Sequence, residues 1–101
     1  MHPKLAQHAD AIHALCQRLG VKRLELFGSA ATDKFEAGRS DYDLLFELDP
    51  SSPGSRAQRT IDLAEALETM LGAPIDLVNP RYIRNPFFAA DIERTRTSVY
   101  G

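Results

Sequence analysis

Cysteine is almost missing from this 101-residue sequence: Cys16 stands alone. One thiol cannot build a disulfide scaffold or a cysteine-based zinc cage, and it fits a reducing compartment. Long apolar runs are missing as well. None approaches the roughly 18 residues of a membrane span, and the opening MHPKLAQHAD has no signal-peptide apolar core. A strong charge of either sign is also absent: 12 Lys and Arg against 14 Asp and Glu leave a formal charge of -2. Bulk nucleic-acid binding is therefore not expected, although a local basic patch is compatible with that sum. No internal repeat or low-complexity tract interrupts the chain. An apolar fraction of 44% is ordinary for a globular protein and supplies one modest core. The expectation is a single domain over residues 1–101, cytoplasmic, with no membrane contact.

What is present is a regular alternation of patterns. Leu5, Ala9, Ile12, Cys16 and Leu19 recur at helical spacing over residues 4–19, up to Gly20. VKRLELF then alternates, with Leu24 and Leu26 on one face and Arg23, Glu25 and Phe27 on the other. Residues 28–40 are small and polar, with one short helical turn expected around 32–37. DYDLLFEL is a second strand, with Tyr42, Leu44, Phe46 and Leu48 opposite Asp41, Asp43, Leu45 and Glu47. DPSSPGS is a loop, and Ser55 with Gln58 opens a helix carrying Ile61, Ala64, Leu67 and Leu71 up to Gly72. PIDLV is a third, short strand. Asn79-Pro80 and Asn85-Pro86 each pair an N-cap with a proline at the first helical position. The second of these starts a helix over about 86–94, and TSVYG adds an edge strand. This order implies an α+β fold: a small mixed β-sheet with helices packed on one face and the active-site cleft on the other.

Two aspartates at the head of an apolar strand need an explanation, because ionised carboxylates are costly to bury and repel at close range. Asp41 and Asp43 are two apart and so share a strand face. Asp76 stands opposite Ile75 and Leu77 in the same way. If the helices cover the leucine faces, all three carboxylates line the uncovered one, and a cation between them would relieve the repulsion. Oxygen ligands without histidine or thiolate favour Mg²⁺, or Mn²⁺. Magnesium held by few carboxylates shares its other positions with water and phosphate oxygens. Gly28 and Ser29, just past the first strand, let backbone N–H groups and a hydroxyl approach a phosphate closely. The chemistry implied is in-line attack at a nucleotide phosphorus.

Gly28-Ser29, the eleven residues from Ala30 to Ser40, and Asp41-Tyr42-Asp43 resemble the signature of the minimal nucleotidyltransferases, members of the polymerase-beta-like superfamily. PIDLV lies where that family carries its third carboxylate. The resemblance covers nearly the whole chain, including the tail RYIRNPFFAADIERTRTSVY. It implies the nucleotidyltransferase fold, with Asp41, Asp43 and Asp76 as catalytic residues and ligands of Mg²⁺. It also implies that Gly28 and Ser29 hold the phosphates of ATP or another nucleoside triphosphate. Members are often encoded beside a HEPN-domain partner as toxin–antitoxin pairs, with the nucleotidyltransferase as antitoxin, and some transfer AMP to a tyrosine of the HEPN toxin. The resemblance thus implies a Mg-dependent protein adenylyltransferase that acts as an antitoxin. Two alternatives stand beside it: an antitoxin that neutralises its partner by binding alone, and a transferase acting on a small-molecule hydroxyl. A homo-oligomer is left open. The Ser-to-Asp segment is one residue longer than in many members. Ala30 and Ala31 stand where many carry a large or basic residue, and Lys34 or Arg39 are the candidates to replace that cation.

Other residues have plainer explanations. Cys16 belongs to the first helix's apolar stripe and is expected to be buried. His2, His8 and His13 lack i,i+4 spacing with one another and are expected in solvent. Glu47 is a cross-strand partner for Arg23 rather than a ligand. Arg81 and Arg84 flank the third strand's exit, where surface charge is the common explanation and triphosphate contact the alternative. Phe87 and Phe88 diverge by roughly 100° on a helix, which leaves one of them outward.

Overall fold

Period-two alternation builds the centre of the molecule. In the computed structural model, which describes residues 3–32 and 41–101, β1 (Val21–Phe27) and β2 (Tyr42–Leu48) pair antiparallel, Leu24 opposite Phe46 and Leu26 opposite Leu44. β3 (Ile75–Val78) joins β2 in parallel, and β4 (Thr97–Tyr100) joins the other side of β1 antiparallel. The order is β3-β2-β1-β4. A parallel pair needs a long crossover, and α3 (Arg56–Leu71) provides it between β2 and β3. The remaining helices are α1 (Pro3–Gln7), α2 (Ala9–Leu19) and α4 (Pro86–Thr95), with 3-10 turns at Gly28–Ala31 and Pro80–Tyr82. This is the expected mixed α+β arrangement. The helical turn expected around 32–37, beyond Thr32, and the candidate cations Lys34 and Arg39 lie outside the described residues. No helix among the described residues is long and apolar enough to cross a membrane.

The helix starts follow their capping residues. The Ser55 hydroxyl accepts the Gln58 N–H at 3.0 Å and opens α3. The Asn79 side chain accepts from the Arg81 N–H at 3.0 Å, and Asn85 accepts from Phe87 and Phe88 at 2.8 and 3.3 Å. These bonds satisfy N–H groups that have no partner inside the helix.

Two helices replace the one expected over 4–19. The chain breaks at His8 (φ -103°, ψ 14°), whose N–H bonds back to Leu5 by the tighter three-residue spacing. Leu5, Ile12, Leu15 and Cys16 are buried all the same. In α3 the buried row is Arg59, Leu63, Leu67 and Leu71 at strict four-residue spacing, which turns Ile61 outward to 49% exposure. Arg59 anchors that row. Its Nη1 donates to the carbonyls of Leu19, Gly20 and Asp49 at 3.2, 3.2 and 3.3 Å, holding the C-terminal end of α2 against the loop after β2. The main core lies between α1–α3 and the sheet face of Leu24, Leu26, Tyr42, Leu44 and Phe46. The opposite face is not bare. Ile92 of α4 packs there on Phe27 and Leu45, with Val78 and Ile83 at the margin. Phe88 meets Phe27 edge-on, ring centroids 5.8 Å apart, while Phe87 is 84% exposed.

Candidate active site

β1 ends at Phe27, opposite Asp43 of β2, and the chain turns at once. Gly28 takes φ +72°, a region that side chains disfavour, and a Cβ there would lie 2.7 Å from Oδ2 of Asp43. Its N–H donates to Thr95 Oγ1 at 3.0 Å, and that hydroxyl in turn bonds the Asp91 carbonyl at 2.9 Å. The last turn of α4 is thereby fastened to the Gly-Ser turn. With the Gly28 N–H committed to Thr95, the expected phosphate contact falls to Ser29 and the N–H groups that follow. Ser29 is half-buried, and its carbonyl accepts from Thr32 N and Oγ1 at 3.1 and 2.9 Å, closing the 3-10 turn.

Parallel pairing sets Asp43 beside Asp76 in Cα register, on strands about 4.8 Å apart. Asp41 and Asp76 are exposed, whereas Asp43 is half-buried. Burial pushes the Asp43 carboxyl up to about 6, and the charges of Asp76, Asp41 and Asp91 push in the same direction. Asp91 was not singled out in the sequence. It reaches this neighbourhood only because α4 folds back over the sheet, and no local pattern reports that. Thr95 escaped notice for the same reason.

Among the described residues, no three histidine, cysteine or carboxylate side chains form a ready-made metal cage. The donor chemistry nevertheless fits a hard divalent cation. Every candidate donor is a carboxylate oxygen, and the charges of Asp76 and Asp41 add to burial in raising the Asp43 carboxyl, a repulsion that a cation among them would relieve. Glu47 is not part of this group: it faces Arg23 across the strands at 3.7 Å, as expected. Arg81 lies beyond the far end of β3 and does not approach Asp43 along the strand. Cys16 is buried, its thiol pushed up to about 11, and it has no part in the site.

The profile of the nucleotidyltransferase domain matches residues 9–99. The chain belongs to the nucleotidyltransferase domain family. This nucleotidyltransferase is 36% identical over 73 residues to a Methanocaldococcus jannaschii protein provisionally named a protein adenylyltransferase, covering 72% of this chain and 71% of that one. Among solved structures it resembles one provisionally described as a minimal nucleotidyltransferase, with TM-score 0.71 and 29% identity over 92% of this chain and 90% of that one. It also resembles a chain from the complex of a tri-AMPylated Shewanella oneidensis HEPN toxin with its MNT antitoxin. There the TM-score is 0.61 and the identity 17%, over 96% of this chain and 72% of that one, a likeness of fold. The fold and family together place the chain among nucleotidyltransferases of the minimal type.

Proposed function

We propose that this nucleotidyltransferase transfers AMP from ATP to a tyrosine hydroxyl of a HEPN-domain toxin, and so acts as its antitoxin. The observation that carries the proposal is the contact between the Gly28–Ser29 turn and Asp43, with Asp76 in register on the adjoining strand. A phosphate-binding turn and a carboxylate group set at one strand end suit a nucleoside triphosphate. The M. jannaschii relative named for protein adenylylation and the AMPylated HEPN complex support a protein hydroxyl as the acceptor.

Asp41, Asp43 and Asp76 are the residues that would hold Mg²⁺ or Mn²⁺. When bound, the metal supplies charge neutralisation for the triphosphate and for the oxygens entering and leaving phosphorus. Ser29 and the N–H groups after it hold the phosphates, and the bare Cα of Gly28 leaves room for Asp43 beside them. The acceptor oxygen forms a bond to the α-phosphorus. The bond from that phosphorus to the bridging oxygen breaks, and pyrophosphate leaves. Asp76, exposed near the start of β3, takes the acceptor's proton in this reading.

The test incubates the chain with a candidate HEPN-domain partner, α-labelled ATP and Mg²⁺, and reads the intact mass of the partner. One or more added AMP groups are expected, and none with Asp43→Asn. An unmodified partner that is still neutralised would establish inhibition by binding alone. Label appearing only on small hydroxylated compounds would move the acceptor to that class.

A further inference from the structure

The carboxyl ends of the parallel strands β2 and β3 face away from the acidic cluster. From Asp43 to Leu48 the strand advances about 16 Å. Two adjoining pockets open at that far end, where the N-terminus of α3 also lies. The first, about 410 Å³, is lined by Lys22, Arg56 and Arg81 together with Glu47 and Asn79. The second, about 490 Å³, is lined by Phe46, Leu48, Ile61, Leu77 and Tyr82, and shares Leu48, Arg56 and Asn79 with the first.

The cations in the first pocket outnumber its one lining acid, Glu47, although the charge of Lys22 also acts on the nearby Asp49 carboxyl. Among the described residues, Lys22, Arg56 and Arg81 make no ion pair, whereas Arg23, Arg94 and Arg96 all do. The nearby acids are already engaged. Glu47 faces Arg23 at 3.7 Å, and Asp49 accepts from the Ser51 N–H and hydroxyl at 2.9 and 2.7 Å. Three guanidinium or ammonium groups around one cavity suit a phosphate dianion better than a single carboxylate. The second pocket exposes large apolar side chains that the core has not taken up: Ile61 at 49% and Tyr82 at 67%. A flat ring can stack on Tyr82, and Asn79, whose side-chain oxygen is used by the Arg81 N–H, keeps its amide NH₂ for a ring edge.

We infer that this cleft is a second ligand site that takes a nucleoside phosphate, with the phosphate among Lys22, Arg56 and Arg81 and the base in the apolar pocket beside Tyr82. The inference does not depend on the proposed transfer activity, because it uses none of the residues assigned to that reaction. The ligand is either a free nucleotide or a residue of a nucleic-acid strand, since both present the same chemistry.

The test titrates the full chain with AMP in EDTA and follows backbone and arginine side-chain resonances. Saturable shifts are expected at Lys22, Arg56, Asn79, Arg81 and Tyr82. Arg56→Glu and Arg81→Glu should each weaken binding by about tenfold or more. Tyr82→Ala, a change at an exposed position, should weaken AMP but not inorganic phosphate. The shifts at Arg56, Arg81 and Tyr82 should saturate at the same AMP concentration whether or not shifts also occur at Gly28–Ala31. An oligoadenylate that binds more tightly than AMP, with steep salt dependence, assigns the site to nucleic acid, and the reverse order assigns it to the free nucleotide. Shifts confined to Gly28–Ala31 and Asp43, or no saturable binding by about 10 mM AMP, overturn the inference. So does inorganic phosphate binding as tightly as AMP, or a hexaglutamate peptide displacing AMP from these residues at lower concentration.

Discussion

A Cβ added to Gly28 would lie 2.7 Å from Oδ2 of Asp43, so the turn after β1 and the acid of β2 are built against each other. The relationship follows from pairing. Phe27 sits opposite Asp43, and the next residue must turn away from the ladder while passing the carboxylate. Thr95 holds that turn from α4 through the Gly28 N–H. The Gly28–Ser29 turn, the Asp43 carboxylate and the last turn of α4 are therefore tied to one another.

Gly28→Ala should destabilise the fold by about 1–3 kcal/mol, because it places a side chain in the left-handed region. The contact with Asp43 adds to the loss unless the carboxylate shifts. Nucleotide transfer should fall as well, since any shift displaces Asp43. Denaturant unfolding measures the first effect. A midpoint equal to wild type would show that the turn relaxes freely.

Asp43 gives the metal-free protein an unusual pH dependence. Its carboxyl sits at about 6 in the folded chain against an ordinary value of 3.8. Between those values the folded state binds the proton and the unfolded state does not. Stability must then fall as pH rises through this window, the opposite of an ion-paired carboxylate. The unfolding midpoint in EDTA should be higher at about pH 5 than at pH 7. Asp43→Asn should flatten the profile and exceed wild type at pH 7. Added Mg²⁺ should raise the wild-type midpoint more at pH 7 than at pH 5, because the proton competes with the metal.

Much of this site could be read from the chain because strand periodicity is local. Alternation alone gives Asp43 and Asp76 their face, and they are register partners across β2 and β3, while Asp41 lies just before β2 begins. Ser55, Asn79 and Asn85 act within three residues of themselves, so their caps were equally plain. Long-range contacts were not legible. Nothing local marks Arg59, which reaches carbonyls up to 40 residues away. Asp91 and Thr95 enter the site only through the docking of α4, which depends on Ile92 finding Phe27 and Leu45. The outward turn of Ile61 likewise depends on which row of α3 the core selects.

Glu25 and Arg96 form a second long-range pair that no local pattern reports. Arg96 Nε and Nη2 donate to the two carboxylate oxygens of Glu25 at 2.7 and 2.8 Å, and Glu25 is 7% exposed. Removing the cation leaves a buried carboxylate with only Arg23 at 3.7 Å, so Arg96→Met should cost about 3 kcal/mol. The double variant Glu25→Gln, Arg96→Met should recover part of that loss. The Arg96 hydrogen bonds hold the Glu25 carboxyl below its usual 4.5. Their contribution is complete above that value and is lost as pH falls below it. The stability advantage of wild type over the double variant should therefore shrink as pH falls below that value. An advantage that does not change with pH would show that the ionised pair does not supply it.

Asp76→Ala separates the roles of the three acids. Asp76 is exposed at the first turn of an edge strand, so its removal should leave the fold intact. Asp76 is the strongest of the charges acting on Asp43, and without it the Asp43 carboxyl should move back toward its ordinary value. That shift is measurable by NMR titration with no activity assay. Asp43 remains against Gly28, with Asp41 two residues before it, and ATP affinity in Mg²⁺ should stay near normal by calorimetry. Transfer should fall by about two orders of magnitude or more, because the tyrosine hydroxyl proposed as acceptor, with a pKa near 10, loses the group proposed to take its proton. Loss of ATP binding would instead assign Asp76 to the nucleotide's own metal. Transfer at the normal rate, with the Asp43 titration shifted as expected, would leave Asp76 as a neighbouring charge with no part in the reaction.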